Sequence, residues 1–283
     1  MNNTFKDLRF KIFSSGNPLF FYIGINTLIF LITSIIGVLV FLSGTAFSVN
    51  DFLRDYVGLP AAITQLPTRF YTLFTYMFFH DGIFHILFNM LGLYWFGSIF
   101  MNFLKPRQFH VVYLLGGIVG GLFAIAALNI FPVFAANLQN VTIIGASAAA
   151  MAVIFAAATL VPNYTLMLMF IGEVKIKWIA LAYFILDFLA IGSVNAGGNL
   201  AHIGGALLGF AYIKSLQNGR DWSKIFERKA KMKVVKNDRP VKKTDVNSIS
   251  QQEIDAILDK ISTSGYDKLS ATEKEKLFKA SKD

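Results

Sequence analysis

Hydrophobic and polar residues are strongly segregated along the chain. Long apolar stretches with few charges alternate with shorter polar connections, and about 20 mostly apolar residues suffice to cross a bilayer as a helix. Six such stretches are predicted to be transmembrane helices, at 18–42, 82–103, 107–129, 145–161, 177–194 and 199–216. The pattern therefore predicts an all-α polytopic membrane protein with six spans.

Four segments of different character follow one another. We predict a cytoplasmic N-terminal segment at 1–17, a six-span membrane domain at 18–216, a basic linker at 217–248 and a small cytoplasmic helical hairpin at 249–283. The hairpin prediction rests on capping boxes that begin at Ser250 and Ser270. Gly265, between them, suits the C-terminal end of the first helix.

The positive charges of the loops predict how the spans cross the membrane. Lysine and arginine are enriched in cytoplasmic loops. Here they lie before span one, between spans two and three, before span five and after span six, whereas the other side carries only Arg54 and Arg69. Both termini are therefore predicted to be cytoplasmic, so that spans two, four and six enter from outside.

The composition agrees with a membrane protein and excludes several kinds of site. Of the 283 residues, 55% are hydrophobic and only 15% are charged, whereas soluble domains have about a quarter charged. Seven of the nine net positive charges lie between Gln217 and Lys243. We expect this segment to meet anionic lipids at the cytoplasmic face rather than nucleic acid. The absence of cysteine excludes disulfides, thiolate catalysis and cysteine metal sites.

Four polar residues in three predicted spans lie at one depth. They are His85 and Asn89 in span two, Ser147 in span four and His202 in span six, each two to seven residues after the start of its span. At a rise of about 1.5 Å per residue, all four fall in roughly the outer third of the membrane. A nucleophile type and a base type at matched depth suggest hydrolytic chemistry inside the membrane.

Ser147 and His202 each have a structural interpretation beside the catalytic one. Serine is common in membrane helices, where it bonds to a backbone carbonyl or allows close packing, and a buried histidine can be hydrogen-bonded within a bundle. However, an ionisable residue inside a membrane is a functional candidate by default. Gly145 permits an unusual turn before Ser147. A helix that begins near Ser147 also offers unpaired backbone amides at its N-terminus, and such amides stabilise a carbonyl oxygen that becomes an oxyanion.

Small residues at helical spacing lie beside both candidates. Ala201, Gly205 and Gly209 recur every four residues in span six, as do Ala148, Ala152 and Ala156 in span four. Such ridges let helix backbones approach closely. The pattern predicts a close crossing of spans four and six that brings Ser147 within reach of His202, although ordinary packing would use the same ridges.

His80, His85 and Asn89 form the third candidate element. His85 and Asn89 are four residues apart, hence on one helical face, and both can donate hydrogen bonds to an oxyanion. A metal site made by His80, His85 and His202 is the competing interpretation, but no His-Glu-x-x-His motif is present. We predict neither a metal nor a cofactor.

These segments resemble the rhomboid family of intramembrane serine proteases. The resemblance covers about residues 60–216 and rests on His80, His85 and Asn89, on Gly145-Ala146-Ser147, and on Ala-His-Ile-Gly-Gly at 201–205. It implies a six-span rhomboid-like bundle, a Ser147–His202 dyad without an aspartate, and an oxyanion hole from His85, Asn89 and the backbone amides at Ser147 and Ala146, beside Gly145.

The resemblance also carries expectations about setting and partners. It implies a water-filled cavity open to the outside and substrates cleaved within or just above their own transmembrane helices. We expect a multi-pass protein of a bacterial inner membrane. The hairpin resembles a small C-terminal domain that follows rhomboids of one bacterial group.

The chain departs from the family pattern in three places. Thr68 stands where a tryptophan usually precedes Arg69, and Ala148 stands where a glycine often follows the serine. No acidic residue lies near 99–101, where one is expected after the glycine of span two.

The sequence thus predicts an intramembrane serine endopeptidase. Without a third residue, an aromatic ring from span five, Trp178 or Tyr183, is the candidate to orient His202. Asp187, in the same span, is expected to bond to neighbouring helices and is assigned no role. The alternative is a catalytically inactive rhomboid-like protein that binds transmembrane helices. A transporter is a weaker alternative, because the sequence lacks paired broken spans in two halves. Natural substrate and oligomeric state are not indicated.

Overall fold

The computed structural model describes residues 2–169, 171–226 and 250–281. Most of the basic linker, from residue 227 to 249, lies outside the described residues. Within these ranges the α-helices are α1 Asn2–Arg9, α2 Pro18–Leu42, α3 Val49–Tyr56, α4 Thr72–Thr75, α5 Ile83–Phe103, α6 Pro106–Ile130, α7 Ser147–Leu160, α8 Ile176–Leu189, α9 Ala196–Gln217, α10 Gln251–Ser264 and α11 Ala271–Ala280.

The predicted helical membrane fold is confirmed. Six helices, α2 and α5 to α9, occupy the six apolar stretches, with ends that differ by a few residues. Among the described residues, α2, α5 and α6 are long and apolar enough to cross a membrane by length and composition, and α7 is a shorter apolar helix. The count of six spans therefore stays a prediction.

Local sequence explains where several helices begin. Pro18 starts α2, and the Asn17 side chain before it accepts a hydrogen bond from the Leu19 amide at 3.0 Å. Pro106 likewise occupies the first turn of α6. Proline suits this position because its missing amide hydrogen would have no partner within the helix.

Two short antiparallel strand pairs were not predicted from the sequence. β1 (Leu59–Pro60) pairs with β2 (Thr142–Ile143), with Leu59 opposite Ile143, and so joins the first loop to the segment before α7. β3 (Thr165–Leu168) pairs with β4 (Gly172–Lys175) between α7 and α8. Pairs this short carry too few residues for an alternating hydrophobic pattern.

Helix α7 lies at the centre of the membrane domain, packed against α5, α6 and α9. The predicted small-residue ridges are its contact with α9. A Cβ atom added at Gly205 would overlap the carbonyl group of Ala148, and one added at Gly209 would overlap that of Ala152. Because α7 and α9 touch backbone to backbone here, the helix that begins at Ser147 is held closely against the helix that carries His202.

Replacing Gly205 with alanine is expected to destabilise the membrane domain by about 1–3 kcal/mol, because the new methyl group forces α7 and α9 apart. Thermal unfolding of the purified protein in micelles measures the effect. Gly37→Ala in α2 is the matched control, since nothing lies within 4 Å of a Cβ atom there. Equal stability of the two variants would show that the close crossing does not hold the fold together.

The described C-terminal residues form a two-helix hairpin by themselves. The side chains of Ser250 and Ser270 cap α10 and α11, each in a full capping box. Two ion pairs join the helices, Lys260 to Glu273 at 2.9 Å and Lys276 to Glu253 at 3.0 Å. Ile257 and Leu269 are buried, a small core that fits the few apolar residues of this segment.

Candidate active site

A cavity of about 800 Å³ brings together the four polar residues that the sequence places at one depth. His85 and Asn89 from α5, Ser147 from α7 and His202 from α9 all line it. Its other walls carry the charged residues Asp51, Arg54, Asp55 and Asp81. The cavity is therefore polar although it lies among apolar helices.

A strained turn presents Ser147 at the start of α7. Gly145 has φ +124°, a region that side chains other than glycine rarely adopt. A Cβ atom at this position would lie 2.7 Å from His85 Nε2 and 3.7 Å from Ser147 Oγ. Glycine is therefore required both by the backbone and by the close approach of the His85 ring.

The first turn of α7 offers unpaired amide donors. The Ala150 amide donates to the Ala146 carbonyl at 2.9 Å as the first intrahelical bond, so the amides of Ser147, Ala148 and Ala149 have no partner within the helix. They lie at the positive end of the helix dipole. This is the polarity that stabilises an oxyanion formed next to Ser147.

The backbone amide of Ala146 does not join these donors as expected. It donates to His80 Nε2 at 3.4 Å, so His80 supports the turn before Ser147. His80 is 4% exposed, and burial, with His85 acting in the same direction, lowers the pKa of His80 to about 3. The ring is therefore neutral and can accept this bond.

The competing metal interpretation has no geometric support. In the part of the chain that the structure describes, no group of three or more His, Asp or Glu side chains could hold a metal ion. The His80 and His85 rings meet edge to face with centroids 5.0 Å apart.

Asn89 offers a further donor, on a side chain, in the cavity that Ser147 lines. Its Nδ2 atom is buried and has no hydrogen-bond partner among the described residues, and Asn89 lines the cavity with Ser147. This amide is therefore able to donate a hydrogen bond to a group that enters the cavity.

His85 is held by a carboxylate and an arginine. Its Nδ1 atom donates to Asp81 Oδ1 at 2.9 Å, and Arg54 binds Asp81 Oδ2, also at 2.9 Å. Burial alone would raise the pKa of Asp81, but the bonds from His85 and Arg54 outweigh it and lower that pKa. With Nδ1 donating to Asp81, Nε2 donates as well only when the ring is protonated.

Asp187 bonds to His202, although the sequence suggests no role for it. Asp187 Oδ1 in α8 lies 2.8 Å from His202 Nδ1 in α9. Their side chains are 13% and 20% exposed. The resemblance implies a dyad without an aspartate, and the structure adds to Ser147 and His202 a carboxylate that bonds to the histidine.

The expected aromatic support of His202 is not found. The Trp178 ring is 56% exposed and contacts the Lys177 ammonium at 5.2 Å from the ring centroid. Tyr183 is 44% exposed. Neither ring contacts His202 among the ring contacts of the described residues, so the proposed role of an aromatic residue from α8 was wrong.

Within the described residues, no hydrogen bond joins the Ser147 hydroxyl to the His202 ring, although both line the cavity. Hydrogen bonds between catalytic groups are often long without substrate and tighten in the complex. The cavity therefore brings together a serine, a histidine that bonds to Asp187 behind it, and the side chains of His85 and Asn89.

A family model described as "Rhomboid domain" matches residues 67–218, more than half of the chain. The chain belongs to the rhomboid family. A second family model, "Family of unknown function (DUF6576)", matches residues 247–283 of this rhomboid. The matched rhomboid domain contains all four candidate residues, Ser147, His202, His85 and Asn89. Because the chain belongs to this family and has several apolar helices, it is a multi-pass membrane protein.

A curated relative is similar to about half of this rhomboid. "RHOMBOID-like protein 12, mitochondrial" of Arabidopsis thaliana is 30% identical over an alignment of 162 residues, and the alignment covers 54% of this chain and 48% of the relative. The chain thus spans about half the length of that relative.

Proposed function

We propose that this rhomboid protein is an intramembrane serine endopeptidase that cleaves transmembrane protein substrates. One observation carries the proposal. Ser147 and His202 line one cavity with Asn89, whose buried Nδ2 atom has no partner among the described residues. A protein that only binds helices has no need for a base opposite a serine, nor for an unpaired donor beside both.

The first half of the reaction forms an acyl-enzyme. Ser147 Oγ attacks the carbonyl carbon of a substrate peptide bond while its proton passes to His202 Nε2. The carbonyl oxygen becomes an oxyanion, which accepts hydrogen bonds from Asn89 Nδ2, from the Ser147 amide and from His85 Nε2 when that ring is protonated. The carbon–nitrogen bond then breaks, and His202 gives its proton to the leaving amine.

The second half of the reaction uses water from the cavity. His202 takes a proton from a water molecule, whose oxygen attacks the acyl carbon and forms a second oxyanion at the same donors. When this intermediate collapses, Ser147 Oγ leaves with the proton from His202, and the substrate fragment departs as a carboxylic acid. No metal or cofactor enters either half.

The membrane fold supports a proposal about the partners and setting of the reaction. The cavity opens among helices, so substrates are expected to present their own transmembrane segments to it. Placement in a bacterial inner membrane with both termini cytoplasmic, and association of the basic segment with anionic lipids, remain parts of the proposal.

A fluorophosphonate probe tests the proposed function directly. Activated serines form a covalent phosphonyl ester with it, so the purified protein in micelles is expected to be labelled on Ser147, as located by peptide mass spectrometry. Ser98 is the internal control, because its hydroxyl donates to the Tyr94 carbonyl at 2.6 Å within α5, away from the cavity. Absence of label on Ser147 in a folded protein would favour the inactive helix-binding alternative.

A further inference from the structure

Helix α8 turns only one narrow face toward the other helices. Ile176 and Ala180 are its buried residues, and Phe184 and Asp187 continue the same face at intervals of four and three residues. Most of the other side chains of α8 are exposed. Asp187 therefore points inward from a helix whose inner face is otherwise apolar.

A carboxylate on such a face is costly without a partner. Asp187 is largely shielded from solvent, and its partner within the described residues is His202 Nδ1 at 2.8 Å. This bond places the ring proton of neutral His202 on Nδ1 and leaves Nε2 free to accept a proton. Nε2 is the atom that must face Ser147 if His202 acts as the base.

The carboxylate also acts on the charged form of the ring. When His202 takes the proton from Ser147, an imidazolium forms next to Asp187, and a nearby negative charge stabilises it. Other charged groups line the cavity, namely Asp51, Arg54, Asp55, Asp81 and His85. Of the described carboxylates, Asp187 is the one that bonds to His202.

The attachment of α8 to its neighbours does not depend on this bond alone. The Phe184 ring packs on Phe155 of α7 with centroids 6.1 Å apart. Just after α8, the Ala190 carbonyl accepts a hydrogen bond at 2.6 Å from the side-chain amide of Asn199 in α9. Experiment therefore has to distinguish a positioning role of Asp187 from a structural one.

We propose that Asp187 is the positioning residue of His202, so that the chain works with a Ser147–His202–Asp187 triad. The inference rests on the proposed function. It departs from the two-residue mechanism that the sequence resemblance implies, because a third residue fixes the tautomer and orientation of the base.

Nitrogen-15 NMR of the histidine rings tests the positioning without any substrate. The chain has only four histidines, so a histidine-labelled sample in micelles can be assigned by single substitutions. At the alkaline end of a titration the neutral His202 ring is expected to carry its proton on Nδ1. Asp187→Ala should remove this preference, whereas Tyr183→Phe, a change on the same helix, should not.

Kinetics with the near-isosteric Asp187→Asn tests the consequence. Asparagine keeps the size and hydrogen bonding of the side chain but not its charge, so a tether would survive. We expect kcat to fall by about 10²- to 10⁴-fold with KM nearly unchanged. Asp187→Glu should restore part of kcat, and Tyr183→Phe should behave as the unmodified protein.

Two results would overturn the inference: a wild-type His202 ring protonated on Nε2, or an Asp187→Asn variant with unchanged kcat. Failure of the proposed function looks different. The unmodified protein would then neither cleave a transmembrane substrate nor react with the fluorophosphonate, while the NMR experiment would still decide whether Asp187 sets the tautomer of His202.

Discussion

Replacing Ser147 with alanine, or His202 with alanine, is expected to abolish cleavage of a transmembrane substrate, with a loss of about 10⁴- to 10⁶-fold. In the proposed mechanism, the first change removes the nucleophile and the second removes the base. The contact between α7 and α9 is made by the small-residue ridges and not by these two side chains. Cleavage by the purified variants in micelles or liposomes, followed on a gel, measures the loss.

Two matched substitutions control for damage to the fold. Ser98→Ala removes a serine of α5 that does not line the cavity, and His110→Ala removes a histidine of α6 that bonds to the Tyr22 hydroxyl at 3.0 Å. Both controls should retain turnover. Normal turnover by either Ser147→Ala or His202→Ala would rule out this assignment of nucleophile and base.

Replacing Asn89 or His85 with alanine is expected to lower kcat by about 10²- to 10³-fold and to change KM little. The reason is that these donors act on the charge of the transition state, where one such donor is worth about 2.7–4 kcal/mol. Asn89 Nδ2 is buried without a partner among the described residues, and His85 Nε2 lies against Gly145 beside Ser147. Steady-state kinetics on a transmembrane substrate separates kcat from KM.

Asn129→Ala is the matched control for the donor experiment. Its amide donates to the carbonyls of Ala61 and Ile125, both at 2.7 Å, so its loss should lower stability and leave kcat alone. A change at Asn89 or His85 that mainly raised KM would assign that residue to substrate binding. Activity that required added zinc and fell with a chelator would instead favour the metal interpretation.

The helices of the membrane domain follow from local information, and so their positions could be predicted. Apolar stretches of sufficient length mark them, and residues such as Pro18 and Ser250 mark where helices begin. The convergence of Ser147 and His202 also follows, because equal depth and small-residue spacing restrict where two spans can cross. Span length, depth and small-residue spacing can each be read from the sequence of one span by itself.

Two of the contacts that were missed join segments far apart in the chain. They depend on the conformation of the loops. These two are the hydrogen bond from the Ala146 amide to His80 and the pairing of Leu59 with Ile143. The Asp187–His202 bond had a usable signal, since Asp187 continues the helical face of Ile176 and Ala180. Matching its depth to that of His202 would have pointed to this partner.

The two histidines of the site differ in how their carboxylates meet solvent. The Asp187–His202 pair is 13% and 20% exposed, whereas the Arg54 side chain that holds Asp81 is 53% exposed. Mobile ions screen exposed pairs within a Debye length of about 8 Å at 0.15 M ionic strength and reach buried pairs much less. The ionic strength of the adjoining medium should therefore weaken the Arg54–Asp81 pair that holds His85, and leave the Asp187–His202 pair nearly unchanged. Under the proposed mechanism, added salt would then affect the stabilisation of the oxyanion more than the action of the base.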